Sequence, residues 1–338
     1  MITPIIFRSI IKHFDEIDRI VSDKTVRKRP WLEVALTSLL CDVLDEETQD
    51  DQKLNYTFKQ LQDDLEKEDS LFGINLTLET IEFNSTYERY ISQSDIGLNL
   101  IFDNKLEPYK SWSRPYLLQA KRLSPKKINP LSYTEASLFA SLDKDQQKRI
   151  DLLNKILGAS YLKYLLFCPR PENIDDETKT KLAYLRYAKL SNGIFDYTFG
   201  LEIHNELSNS SDTLKAGIFI TDVENSNLNF GQVHSQVLQE TFPFSWFIAM
   251  NFLNQHDFLD ISRINIGMKK QESSKNKEMV EGILSGDSKK IDELIKRIGE
   301  AETNTIPENI QILPKHKITL RVSVGEKINP DSRIIQNQ

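Results

Sequence analysis

Three polar side chains have the types and spacing that metal-assisted hydrolysis requires. Asp95 begins an apolar segment, and Gln119 and Lys121 stand two residues apart in a second apolar segment about one hairpin further on. Residues two apart in a β-strand share a face, so this amide and this amine lie side by side, while Leu118 and Ala120 share the other face. Burying such a pair costs free energy, which indicates that the protein uses it.

The chemistry that these groups support is the hydrolysis of a phosphodiester. A carboxylate beside a side-chain amide oxygen is a partial ligand set for Mg²⁺, which takes hard oxygen ligands and keeps several waters. A neighbouring ammonium can orient the attacking water or balance charge on the transition state. The sequence therefore predicts that Asp95 and Gln119 bind a metal ion and that Lys121 acts beside them.

The surrounding pattern predicts a mixed α/β architecture that positions these groups. Alternation and short apolar runs indicate strands at 74–83, 95–102, 116–123, 161–168, 197–203, 216–223 and 317–324. Helical periodicity indicates helices at 4–22, 31–46, 146–157 and 242–253. Antiparallel pairing of the second and third strands would bring Asp95 close to Gln119 and Lys121.

The character of the chain changes after about residue 260. A polar stretch that begins at Met268, MKKQESSKNKE, is typical of a flexible connector. We therefore predict a core domain over 1–260 and a C-terminal appendage over 261–338 that binds a protein partner. Deletion of the residues after about 265 is expected to spare the fold of the core.

Composition excludes few classes of protein. The chain has 338 residues and a formal net charge of −7, which argues mildly against a nucleic-acid binder, although local patches matter more than the sum. Cys41 and Cys168 lie in apolar runs and are expected to be buried thiols of a cytoplasmic protein. The five histidines show no zinc-ligand spacing. No apolar run approaches the roughly 18 residues of a membrane span, so no membrane partner is expected.

On these residues the chain resembles the PD-(D/E)XK, or restriction-endonuclease-like, nuclease superfamily, in the variant where Gln replaces the second acid. Asp95 matches the first acidic position at a strand start, although Ser94 rather than Pro precedes it. Gln119 and Lys121 match the (D/E/Q)-x-K element on the next strand, and Glu33 has the place of a helical Glu upstream. The stretch YLLQAKRL, followed by a Gln-rich helix and YLLFCPRP, is similar to nucleases of bacterial anti-phage defence operons.

The resemblance implies a mixed central sheet flanked by helices, and Mg²⁺ or Mn²⁺ held by Asp95, Gln119 and Glu33. It implies an endonuclease that acts on nucleic acid, DNA rather than RNA, as the effector of a defence system. A protein partner such as an ATPase or sensor, and a homo-oligomer, are compatible with that role. Basic residues around the motif are expected to contact phosphates: Arg114, Arg122, Lys126 and Lys127.

Simpler interpretations stay open for each of these features. Gln119 and Lys121 could lie on a solvated strand face with Asp95 in a turn, and Glu33 could complement the dipole of its helix. The basic cluster could be a solvated loop. At the level of function, the alternatives are a catalytically inactive restriction-like binding subunit of a defence complex, or a regulatory subunit that interacts through the appendage.

Overall fold

The centre of the molecule is a seven-stranded mixed β-sheet. The computed structural model describes residues 4–49, 53–68, 73–83, 94–139, 144–158, 160–190, 215–223, 228–252, 274–301 and 314–325. The strands of the large sheet are β1 (Ile74–Glu82), β2 (Ile96–Asn104), β3 (Trp112–Arg122), β6 (Leu162–Phe167), β7 (Ile218–Asp222), β8 (Thr241–Pro243) and β9 (His316–Val324), and a hairpin after β3 contains β4 (Lys127–Ile128) and β5 (Leu131–Ser132). The order across the sheet is β1-β9-β2-β3-β6-β7-β8.

Helices cover both faces of this sheet. They are α1 (Pro4–Asp23), α2 (Glu33–Leu44), α3 (Phe58–Glu68), α4 (Lys144–Leu157), α5 (Asp176–Leu190), α6 (Phe230–Ser235), α7 (Phe244–Phe252), α8 (Ser274–Ser285) and α9 (Ser288–Ala301). One face carries α1, α2, α3 and α7, where Tyr116 of β3 packs edge-on against Phe247. The other face carries α4, α8 and α9, where Ser113 of β3 hydrogen-bonds Glu281. The core therefore consists of two apolar layers separated by the sheet.

The two strands that carry the candidate motif are neighbours. β2 and β3 pair antiparallel, with Ile96 opposite Leu118. β2 also pairs parallel with β9, and β3 pairs parallel with β6. Because both faces are covered, the residues of β3 from Tyr116 to Lys121 are all buried, as expected for central strands with apolar surroundings on both sides.

Most of the predicted elements are confirmed in type and place. The strands at 74–83, 95–102, 116–123, 161–168, 216–223 and 317–324 and the helices at 4–22, 31–46 and 146–157 all correspond to elements of the structure. The predicted helix at 242–253 begins only at Phe244, because Thr241–Pro243 form the edge strand β8. An edge position tolerates Pro243, which has no N–H to donate to a ladder. The predicted strand at 197–203 lies outside the described residues.

The segment after residue 260 does not form a separate appendage in its described parts. β9 lies between β1 and β2 in the central sheet and pairs with both along its whole length. Helix α8 packs on β2 and β3, and its residues Met279, Val280, Ile283 and Leu284 belong to the core. The expected division at residue 260 fails because β9 returns to the central sheet. The predicted flexible connector at 268–278 is also wrong from Ser274 onward, where α8 begins, and its earlier residues lie outside the described part of the chain.

Among the described residues, no helix combines the length and the apolar character needed to cross a lipid bilayer. The longest, α1, has 20 residues and buries one apolar stripe that includes Ile6, Ile10, Phe14 and Ile17. Its pattern is that of an amphipathic helix, and it packs on α2, α3 and α7.

The position of β9 leads to a prediction about truncation. A chain that ends after residue 265 loses α8, α9 and β9, which exposes the edges of β1 and β2 and a large part of one core layer. We expect it to lose cooperative unfolding in a denaturant titration followed by circular dichroism. A chain that ends after Gly325 keeps every described element and serves as the control. Cooperative unfolding of the shorter chain with near-native stability would restore the appendage interpretation.

Candidate active site

Two carboxylates meet where β3 extends beyond the end of β2. The ladder between these strands ends with Asp95 N–H donating to the Leu118 carbonyl at 2.9 Å. Beyond that point, within the described residues, the amides of Ala120 and Arg122 have no strand partner on the β2 side. Asp95 Oδ2 accepts from the Ala120 amide at 2.8 Å, and Glu33 Oε1 accepts from the Arg122 amide at 3.0 Å. The unpaired backbone of β3 therefore brings the two carboxylates to one edge.

Gln119 connects this edge to the interior. Its Nε2 donates to Asp95 Oδ2 at 2.7 Å, and its side chain is 8% exposed. Its Oε1 is buried and has no hydrogen-bond partner among the described residues. The predicted contact between Asp95 and Gln119 is therefore present, but the amide nitrogen faces the carboxylate where the oxygen was expected. Half a turn of the terminal amide exchanges the two atoms with little change of shape.

Lys121 lies on the same face of β3 as Gln119, two residues further on, with its side chain 7% exposed. Its positive charge stabilises the ionised form of Asp95. A buried ammonium close to a carboxylate on a mostly apolar strand is the arrangement that the sequence predicted. The structure thus brings together Asp95, Gln119, Lys121 and Glu33.

The pKa of Asp95 reflects these surroundings. Burial, with a smaller contribution from the nearby Glu33 carboxylate, raises this pKa from the usual value of 3.8 to about 6, against the opposing effects of the Ala120 amide, Lys121 and Lys315. The ionised form of Asp95 is therefore costly in the folded protein without an additional positive charge. A divalent cation at this position would remove that cost.

Gly97, two residues after Asp95, allows a helix to close over the site strand. A Cβ atom at this position would overlap the side chain of Leu284 on α8 and meet Pro314 at 3.0 Å. On the same side, a cavity of about 10 Å³ lies against Leu117, Gln119 and Leu153, which is room for about one water molecule. The interior side of the site is therefore closely packed, and its access is from the edge that holds Asp95 and Glu33.

The basic residues predicted to contact phosphate divide into two groups. Arg122, Lys126 and Lys127 lie at the end of β3 that carries the site and in the hairpin that follows, and both lysines are exposed. The Arg122 guanidinium donates to the Trp31 carbonyl at 3.3 Å.

Arg114 does not belong to this group. It lies five residues before Gln119, roughly 17 Å along the strand, and it donates to Asn251 Oδ1 at 3.0 Å on the face that carries α7. The separation of five positions between Arg114 and Gln119 is odd, which places their side chains on opposite faces of β3, so Arg114 lies apart from the Asp95 and Gln119 cluster.

Sequence reasoning missed one charged residue of this edge. Lys315 immediately precedes His316, the first residue of β9. His316 pairs with Ile96 of β2, and Asp95 immediately precedes Ile96. The His316 amide donates to the Asp95 carbonyl at 3.1 Å, which holds the two strands together at that point. No signal in the sequence shows that β9 pairs with β2, because more than 200 residues separate them in the chain.

A metal ion at this site would need the amide of Gln119 as a ligand. Among the described residues, no group of three or more His, Cys, Asp or Glu side chains has the geometry to hold a metal ion. Asp95 Oδ1 and Glu33 Oε2 lie outside the hydrogen bonds to the β3 backbone. With Gln119 Oε1, which has no partner in the described part of the chain and would have to be turned toward Asp95, they offer three hard oxygen donors of the kind that Mg²⁺ takes.

Comparison of the chain with protein-family models, with curated proteins and with solved structures found no match in any of the three. The fold and the site define the chain as a mixed α/β protein whose seven-stranded sheet is flanked by helices and carries a carboxylate, amide and ammonium cluster at one strand edge.

The raised pKa of Asp95 predicts an effect on stability. Asp95→Asn keeps an oxygen that accepts from Ala120 and Gln119 but cannot ionise, so in metal-free buffer it should stabilise the protein by about 1 kcal/mol at neutral pH. Because the folded-state pKa lies above the unfolded one, the cost of the wild-type carboxylate is absent at low pH and develops as pH rises from about 4 to about 6. The stabilisation should therefore shrink as the pH is lowered through that window.

Urea titrations of both proteins at about pH 5 and about pH 7.5 measure the difference. Asp103→Asn is a suitable control, because Asp103 is a surface carboxylate of the same strand that pairs with Lys105 at 2.7 Å. A variant Asp95→Asn that is less stable than the wild type at both pH values would contradict the electrostatic account.

Proposed function

We propose that this chain is a metal-dependent nuclease with a restriction-endonuclease-like fold, which hydrolyses phosphodiester bonds of DNA with Mg²⁺ or Mn²⁺. The observation that carries the proposal is the hydrogen bond from Gln119 Nε2 to Asp95 Oδ2, with Lys121 on the same strand face and Gln119 Oε1 buried without a partner among the residues that the structure describes. A buried amide oxygen that has no partner among the described residues is an acceptor that a bound cation could use.

Each residue of the site would have a separate role in metal binding or in hydrolysis. Asp95, Gln119 and Glu33 would hold the ion through their remaining oxygens, after rotation of the Gln119 amide. A bound Mg²⁺ supplies Lewis-acid polarisation of the phosphate and a lowered pKa for a coordinated water. Lys121 would place its ammonium beside the attacking water and stabilise negative charge that develops on the phosphate. The backbone amides of β3 keep both carboxylates in position.

Positive charge around this edge supports a polyanionic substrate. Lys126 and Lys127 are exposed on the hairpin that follows β3, and the exposed Lys28 and Arg29 lie in the loop before α2. The Tyr133 hydroxyl donates to the Thr25 carbonyl at 2.7 Å, which ties that loop to the chain after the hairpin. The acidic protein therefore carries a local basic rim next to the candidate site, as a phosphate-contacting surface requires.

The biological setting is a further part of the proposal. The similarity of the motif region to nucleases of anti-phage operons supports an effector of a bacterial defence system, with an ATPase or sensor as partner. The exposed apolar side chains Leu32 and Val34, 68% and 60% exposed, adjoin Glu33 and offer a surface for a partner or for the substrate.

A second candidate function is a catalytically inactive binding subunit with the same fold. The observation in its favour is that Asp95 and Glu33 each satisfy a backbone amide of β3, which is a sufficient structural reason for both carboxylates. Such a subunit would bind nucleic acid at the basic rim without a metal ion.

Variants that keep the backbone contacts distinguish the two candidates. Asp95→Asn retains the acceptor for the Ala120 amide but removes an anionic ligand, so cleavage of plasmid DNA in Mg²⁺ should fall by at least about 100-fold without unfolding. Lys121→Met keeps the aliphatic stem and should lower the rate by about 100-fold with little effect on metal affinity. Gln119→Glu should keep activity, whereas Gln119→Ala should not.

The same assay contains its own controls. Lys296→Ala, which removes an exposed lysine of α9, should cleave at the wild-type rate. Wild-type rates for both Asp95→Asn and Lys121→Met would rule out this active site. No cleavage by the wild type of linear, circular or single-stranded DNA or of RNA, alone or with the product of a neighbouring gene, would favour the binding subunit.

A further inference from the structure

The edge that holds the candidate site is formed by three strands, not by two. β2 lies between β3 and β9 in the sheet. Ile96 of β2 pairs with His316 of β9, so Asp95 and Lys315, which immediately precede them, are neighbours at this edge. The strand β1 extends the same edge, because the Phe83 amide donates to the Lys315 carbonyl at 2.9 Å. The backbone of Lys315 is thus fixed on both sides next to Asp95.

The side chain of Lys315 differs from that of Lys121 in its access to solvent. The Lys121 side chain is almost fully buried, whereas the Lys315 side chain is 32% exposed. Lys315 Nζ lies 3.8 Å from Glu82 Oε1, and the Glu82 side chain is 63% exposed. A solvated pair at that distance contributes little free energy, so an incoming anion can replace the carboxylate at small cost.

The positive charge of Lys315 can offset the repulsion between the carboxylates of this edge and an approaching phosphate. Asp95 and Glu33 place two negative groups where a phosphodiester would have to approach, and their repulsion opposes binding. Lys315 lies on the β9 side of Asp95, whereas Lys121 lies on the β3 side and points into the interior. A lysine is a compact point charge that suits contact with a phosphate oxygen.

We propose that Lys315 is a substrate-positioning residue that contacts a phosphate of the nucleic acid on the β9 side of Asp95, so that the C-terminal strand completes the site. The identity of the ligand as nucleic acid rests on the proposed nuclease function. The contact requires only that a phosphate displace Glu82, and it uses no part of the metal site. The inference also explains how a strand close to the C-terminal end of the chain contributes to a site whose other residues precede position 122.

The test measures binding and cleavage separately. Binding of a fluorescein-labelled single-stranded DNA, and of a duplex of the same sequence, is followed by anisotropy in metal-free buffer over a series of salt concentrations. Loss of one phosphate contact should lower the slope of log affinity against log salt by about 1. Lys315→Ala should show this loss on at least one probe, and in Mg²⁺ it should raise KM for cleavage more than it lowers kcat. Lys315→Arg should restore both.

Lys296→Ala is the matched control, because Lys296 is exposed and lies at a similar distance, 3.9 Å, from its partner Glu300. Glu82→Gln should tighten binding, because it removes the carboxylate that competes for Lys315. A salt slope and KM for Lys315→Ala equal to those of Lys296→Ala would overturn the inference while leaving the nuclease proposal intact. A wild type that binds with a Lys315-dependent slope but never cleaves would overturn the nuclease and keep the contact. A wild type that binds neither probe would overturn both.

Discussion

The constraint on which the site depends is that the buried strand β3 is longer than its neighbour β2. Where β2 begins, the amides of Ala120 and Arg122 would remain without partners in the interior, and each would cost about 1–3 kcal/mol. The carboxylates of Asp95 and Glu33 accept from these two amides at 2.8 and 3.0 Å. The need to satisfy a strand edge thus concentrates two negative charges at one point, and each carboxylate keeps one oxygen outside these two hydrogen bonds.

This concentration of negative charge costs free energy that no other interaction of the described site residues fully offsets. Burial raises the pKa of Asp95 to about 6, so the carboxylate that satisfies the backbone is itself poorly solvated. Gln119 Nε2 donates to Asp95 Oδ2 and, at 3.4 Å, to the Ala120 carbonyl, while Gln119 Oε1 is buried and has no donor among the described residues. A cation bound by Asp95 would offset the cost of its charge, with the Gln119 oxygen as a further ligand once the amide has rotated, and sites that carry strain or unsatisfied groups are often functional ones.

The sequence predicted the local parts of this arrangement well. The alternation around Leu118 and Ala120 placed Gln119 and Lys121 on one face, and the apolar run after Asp95 predicted β2, because side-chain period follows directly from strand geometry. Non-local pairing was not predictable: nothing in the polar stretch before α8 shows that β9 enters the middle of the sheet, so Lys315 was missed and residues 261–338 were assigned to an appendage. Arg114 was misplaced because nearness in sequence was taken for nearness in space.

The central claim is that the carboxylates that cap the free edge of β3 also hold a divalent cation with the Gln119 amide. Paramagnetic broadening by substoichiometric Mn²⁺ in a ¹H–¹⁵N spectrum tests it directly, with Asp95→Asn as the comparison. The account predicts that the backbone amides of Ala120 and Arg122 and the side-chain amide of Gln119 broaden first, that excess Mg²⁺ reverses the effect, and that Asp95→Asn greatly weakens it. Broadening confined to other acidic surfaces, or equal broadening of these amides in Asp95→Asn, would contradict the account.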